Sequence, residues 1–126
     1  MATTLTPIQA VLNTALDSTA TLCTVDTSGD PEVFEITFTA PAGKCYIEIN
    51  NTAAVGTITY SLAAGTGYAN SSAALTGSVL QTKSCLLHVE DARYKTGGKM
   101  TLTVTPTAAT KLKTGNIVTV KAVQLV

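Results

Sequence analysis

Apolar side chains recur at every second position in five separate runs of this chain, and that period belongs to half-buried β-strands. In "EVFEITFT", Phe34, Ile36 and Phe38 alternate with Glu35, Thr37 and Thr39. In "CYIEINN", Cys45, Ile47 and Ile49 alternate with Tyr46, Glu48 and Asn50. Between these runs lies Pro41-Ala42-Gly43-Lys44, where Pro fixes φ and Gly permits positive φ, so the pair predicts a β-hairpin. "GTITYSL" places Ile58, Tyr60 and Leu62 on one face. "SCLLHVE" does the same with Cys85, Leu87 and Val89, and "KMTLTVTP" sets Met100, Leu102 and Val104 against a row of Thr.

The remaining segments are punctuation or ends. Residues 63–78 are small, polar and Gly-rich, which predicts a surface loop, and 107–116 predict a second one. "VLQT" is a further short run, and the closing "IVTVKAVQLV" is long enough to cross a sheet. "ATLCTV", residues 20–25, predicts a first strand. Ahead of it, Ile8, Val11, Leu12, Ala15 and Leu16 follow a helical spacing behind a Thr6 cap and Pro7, so residues 1–19 predict either a short helix or an extended arm. The sum is an all-β chain: an N-terminal arm or short helix over 1–19, then one antiparallel β-sandwich domain over 20–126. About seven or eight strands are expected, with jelly-roll or Greek-key connections, and a closed barrel is the alternative.

Charge excludes several function classes. The chain carries eight basic and eight acidic residues, so its formal net charge is zero and no electrostatic footprint for nucleic acid exists. Low charge also removes the repulsion that keeps crowded copies apart. No apolar run approaches the roughly 18 residues of a membrane span. No basic residue precedes an apolar core at the N-terminus, which predicts no secretory leader and three free thiols.

Chemistry is sparse. Cys85 and His88 fall on opposite faces of one strand, so they make no nucleophilic dyad. Cys45 and Cys85 share faces with aliphatic residues and read as core; a disulfide between them requires their strands to pair. One His and three scattered Cys offer no zinc spacing, and Asp26, Asp30 and Glu32 form only a fragment of a calcium loop, read more simply as a turn. The expectation is no catalytic residue, no metal and no cofactor. The densest polar stretch, "HVEDARYKTGGK", sits between two strands and reads as their connection. Asp91 bonds its own turn, Arg93 pairs with Glu90 or Asp91, Tyr94 lies over the sandwich edge, and Gly97-Gly98 makes the return.

The order of motifs is the remaining signal. A "TPIQAV" arm leads through a "GD" turn to "IEINNTA" and a "TITY" strand. Then come a Gly-rich loop, "EDARYKTGGKMTLTV" and a final "VTVKAVQLV". This order resembles the small head-decoration, capsid-stabilising proteins of tailed bacteriophages, with Arg93, Tyr94, Gly97 and Gly98 the most telling part. The resemblance implies a virion protein on the outside of the head, made in the host cytoplasm. Its partner would be the major capsid protein, with contacts to other copies as a dimer, trimer or lattice. Contact residues would come from the arm (Thr6, Pro7, Ile8, Val11 and Leu12) and from the connection (Arg93, Tyr94 and Lys95). A tail or head-fibre component is the alternative within that class. Outside it stands a free carbohydrate- or protein-binding sandwich, for which Tyr46, Tyr68 and Tyr94 are the available aromatics.

Overall fold

A computed structural model describes residues 2–16, 18–40, 43–52, 56–68, 70–114 and 118–126. Among the described residues the chain is all-β, with eleven strands in two mixed sheets and no α-helix. The strands are β1 (Thr3–Leu5), β2 (Ile8–Gln9), β3 (Thr21–Leu22), β4 (Glu32–Ile36), β5 (Cys45–Asn51), β6 (Ile58–Leu62), β7 (Leu75–Val79), β8 (Lys83–Val89), β9 (Lys95–Thr96), β10 (Lys99–Thr105) and β11 (Val118–Gln124). The first sheet runs β1-β4-β10-β6-β7, with β9 also on β10. The second runs β2-β11-β5-β8, with β3 also on β11. Two parallel pairs, β1 on β4 and β2 on β11, sit among antiparallel ones, so the sheets are not purely antiparallel.

The period-two runs face inward as their pattern demands. Phe34, Ile36, Ile58, Leu62, Met100, Leu102 and Val104 line the first sheet, and Cys45, Ile47, Ile49, Leu87, Val89, Val118 and Val120 the second, all buried. Burying each aliphatic side chain fully contributes about 1.5–3 kcal/mol, so these two layers dominate the favourable side of folding.

Four expectations need correction. The predicted hairpin of 33–50 does not form: β4 pairs with β1 and β10, whereas β5 pairs with β11 and β8. Alternation specifies which face is buried, not which strand lies alongside, and here the two strands lie in different sheets, each with its apolar face buried. The 41–42 part of that turn lies outside the described residues. The 63–78 loop ends early, because Leu75–Val79 is a strand paired with β6. Its Gly77 is inward and leaves the space that the Tyr60 side chain fills. The 107–116 loop contributes Leu112 to the core, fully buried, with its carbonyl accepting from Val118 N at 3.1 Å; Gly115 and Asn116 lie outside the described residues. The expected first strand of 20–25 is only Thr21–Leu22.

Of the two alternatives for the N-terminal segment, short helix or extended arm, the described residues take the extended one. The segment is extended, and Asn13 at φ 55° interrupts the helical spacing inside a turn closed by Thr14 N on the Val11 carbonyl at 3.3 Å. The open edges of β4 and β11 supply backbone partners for an extended chain. The arm therefore straps the sandwich. Leu5 is buried beside Ile36 in the first sheet, and Ile8 pairs with Val123 in the second.

Candidate docking face

The outer surfaces of the two sheets differ in chemistry. On the first sheet, outward positions are Thr101, Thr103 and Thr105 on β10, Thr59 and Ser61 on β6, and Thr76 and Ser78 on β7. Hydroxyls dominate, and Lys99 bonds Glu35 at 3.2 Å at one corner. On the second sheet the register stacks three rows across β11, β5 and β8: Thr119–Asn50–Ser84, Lys121–Glu48–Leu86 and Val123–Tyr46–His88. Ile8 extends the last row, because it pairs with Val123.

That last row is rigid. The Tyr46 and His88 rings stack with centroids 4.4 Å apart and planes within 11°. His88 Nε2 lies 2.6 Å from the Gly43 carbonyl, which can only accept, so Nε2 carries the proton and donates. In the middle row Lys121 and Glu48 are cross-strand neighbours, and Lys121 Nζ donates to Ser18 Oγ at 3.1 Å. The apolar part of this face is Val123, Tyr46 and Ile8 of the last row, with Leu86 beside them.

The arm supplies a wall. After β2, residues 10–16 turn back along the face, and between them and the sheet lies a groove of about 270 Å³, floored by Tyr46, Leu86 and Val123 and walled by Val11 and Leu16. Beside it, Val11, Leu12, Leu125 and Val126 border a second depression of about 320 Å³. Leu12 is 76% exposed, Leu86 63%, Val126 65% and Val11 50%, on one side of the molecule. Exposed aliphatics gathered in this way mark an interaction surface more often than a free one.

The expected contact residues therefore divide. Ile8, Val11 and Leu12 belong to this face, and Thr6 and Pro7 form the strap that leads to it. Arg93, Tyr94 and Lys95 lie elsewhere, in the connection from β8 to β10. There a 3-10 turn, Asp91–Arg93, is followed by β9 and the two-residue return Gly97-Gly98, both at positive φ. Arg93 pairs through Nε with Glu90 at 2.8 Å, and both side chains are more than half exposed. The anchor of the connection is Asp91 instead: nearly buried, it forms an ion pair with Lys95, whose Nζ also lies 3.4 Å from the Phe38 carbonyl. Tyr94 packs partly buried against the core. The backbone of this stretch holds the 63–74 loop, with Gly65 N and Ser71 N both donating to the Arg93 carbonyl and Thr66 N to that of Lys95, each at 3.0 Å. The polar run is a structural junction.

The other sequence candidates are absorbed in the same way. Glu32 turns inward, and its Oε1 accepts from Thr24 N, Thr24 Oγ1 and Val25 N at 2.6–2.9 Å, fastening the loop that carries Asp26 and Asp30. Asp26 accepts from Thr114 N at 3.2 Å; the Thr114 side-chain hydrogen bond first, then Lys111, the Thr114 backbone bond and Lys113, hold its carboxyl below the ordinary carboxylate range. Among the described residues no group of three His, Cys, Asp or Glu could hold a metal ion. Cys45 and Cys85 do lie on paired strands, but Cys45 is opposite Val89 and Cys85 opposite Ile49, so all three thiols stay free. Burial, reinforced by Glu32, pushes the Cys23 thiol up to about 12. Burial, with Asp91 nearby, pushes the Cys45 thiol to about 11. Both are inert in the neutral range.

Sequence reading missed Gln124. It sits among the apolar residues of the last strand yet is nearly buried, and it bonds the arm and the 37–40 crossover at once. Its only trace in the sequence is a polar side chain at an inward position of an otherwise alternating run.

No family model, no curated protein and no solved structure matches this chain. No helix among the described residues is long and apolar enough to cross a membrane.

Proposed function

We propose that this chain is a structural protein of a phage particle. It acts as a decoration or cement protein, seating the outer face of its second sheet on the major capsid protein and stabilising the head. The observation that carries this reading is the asymmetry of the two outer faces: hydroxyls on one, and on the other a groove with Val11, Leu12 and Leu86 exposed around it. A zero net charge lets many copies sit side by side, and a repeated shell multiplies a modest contact by avidity. The jelly-roll-like ordering belongs to the same proposal. It is supported by a chain that changes sheet between β4 and β5, β5 and β6, β7 and β8, and β10 and β11.

The test is rebinding. Particles stripped of this protein are incubated with wild type or with Val11→Asp/Leu12→Asp, both changes at exposed positions. The expected result is at least tenfold weaker binding by the variant at an unchanged melting temperature. Equal binding refutes docking through this face.

A further inference from the structure

β8 is the last strand of the second sheet, and it is the best-formed open edge in the molecule. It pairs with β5 over seven consecutive residues, Lys83 to Val89, without a bulge or proline. In an antiparallel ladder alternate residues turn their N–H and C=O away from the neighbour. Among the described residues, no backbone hydrogen bond reaches the outer side of β8 from Ser84 to Val89. Folded proteins blunt such edges with short strands, charges, prolines or bulges. The other edges here are blunted: β1, β2 and β3 are two or three residues long, and β7 carries Gly77 at its centre. β8 has a single charge, Lys83, at its very end.

We infer that β8 joins a second copy of this chain, antiparallel across a two-fold axis at Leu86, so that the second sheets of two copies form one continuous sheet. The register follows from symmetry. A two-fold perpendicular to the sheet must set a residue opposite itself, since an offset by one would oppose inward and outward side chains. With Leu86 on the axis, all seven residues of β8 find partners: Lys83 with Val89 of the other copy, Ser84 with His88, Cys85 with Leu87. Moving the axis to Cys85 or Leu87 shortens the seam to five residues of the strand.

No like charges meet in this register: Lys83, the strand's one charged residue, falls opposite Val89 of the other copy. The two Leu86 side chains, each 63% exposed in the single chain, cover one another on the outer face. The grooves of both copies then lie on the same side of one broad sheet. This inference rests on the strand edge, although Leu86 also borders the groove of the capsid reading.

Sedimentation and light scattering of the purified full chain give the first readout, with twice the 12.9 kDa chain mass expected. Leu86→Lys places two like charges at the axis and is expected to yield folded monomer with an unchanged far-UV spectrum. Leu12→Lys, equally exposed but on the arm, is expected to leave the mass doubled. Leu86→Cys supplies the geometric test: directly opposed residues have Cβ atoms about 4.5–5.5 Å apart, so mild oxidation is expected to link the copies. The wild type, whose Cys85 residues stand off the axis, is expected to stay unlinked. A wild-type monomer overturns the inference, and so does a dimer indifferent to Leu86→Lys and unlinked through Leu86→Cys. If Leu12→Lys abolishes particle binding while the mass stays doubled, the two readings separate cleanly.

Discussion

Replacing Gln124 by Leu removes a four-way junction while keeping the side chain's volume. Gln124 Oε1 accepts from Thr39 N at 2.9 Å and Ala40 N at 3.2 Å, and Nε2 donates to Gln9 Oε1 at 2.8 Å and Thr39 Oγ1 at 3.0 Å. The two amide donors lose their acceptor in a partly buried setting, at about 1 kcal/mol each, the low end for an orphaned donor. The oxygens of Gln9 and Thr39 are at exposed residues and regain water, so together they add only about 1 kcal/mol. Leu returns about 1 kcal/mol through burial of apolar surface that Gln does not offer. The net loss is about 2 kcal/mol. With an unfolding entropy of about 2.1 cal/mol/K per residue, a chain of 126 residues melts about 8 °C lower. Calorimetry on Gln124→Leu checks this, with Gln9→Ala, which breaks the part-buried bond from Gln124 and an exposed one to the Ala10 carbonyl, expected to fall by less than about half as much. A Gln124→Leu melt within about 2 °C of wild type, on the same conversion, refutes the junction.

Other perturbations probe the strap, the connection and the thiols. Gly65→Ala puts a Cβ 2.7 Å from the Arg93 carbonyl oxygen and 2.8 Å from Lys95 N and O; rigid backbone must move, and denaturant melts are expected to show a loss of about 2–3 kcal/mol. Arg93→Ala breaks only an exposed ion pair and is expected to leave the melts nearly unchanged, whereas Asp91→Ala, which leaves Lys95 without its buried partner, lowers stability in the same melts. Deleting residues 2–9 removes buried Leu5 and both parallel pairings, so the truncated chain is expected to unfold at lower denaturant as well as to lose binding. Cys23 and Cys45 have folded values of about 12 and about 11, above the ordinary 9.0. The unfolded chain therefore releases these protons first: their contribution is complete below pH 9 and is lost as pH rises through 11 and 12. Melting temperature is expected to fall over that range, less steeply in Cys23→Ala, and a thiol reagent at pH 8 is expected to label Cys85 well before the other two.

The sequence speaks clearly about faces and poorly about neighbours. Phe34, Ile36, Ile47, Ile49, Leu102 and Val104 all point inward as their alternation requires. That same alternation is silent on pairing, which is why β4 and β5 read as a hairpin and instead belong to different sheets. Backbone partners at sheet edges override local spacing, so Ile8, Val11 and Leu12 look helical in one dimension and become strap and groove wall in three. Small residues mislead in the other direction: Gly77 reads as loop because the reason for it, the Tyr60 ring, lies on another strand. The groove face is legible in part. Ile8, Val11 and Leu12 belong to it, but Tyr46, Leu86 and Val123 join them only through the pairing of β5 with β8 and β11. Arg93 and Lys95 attract notice by their charge, yet they serve a turn.

The docking role is tested most directly by the molar ratio of this protein to the major shell protein in purified particles, measured by quantitative mass spectrometry. A fixed ratio near one, or a simple fraction of it, is the predicted result. Absence from particles, or a few copies in each, contradicts it.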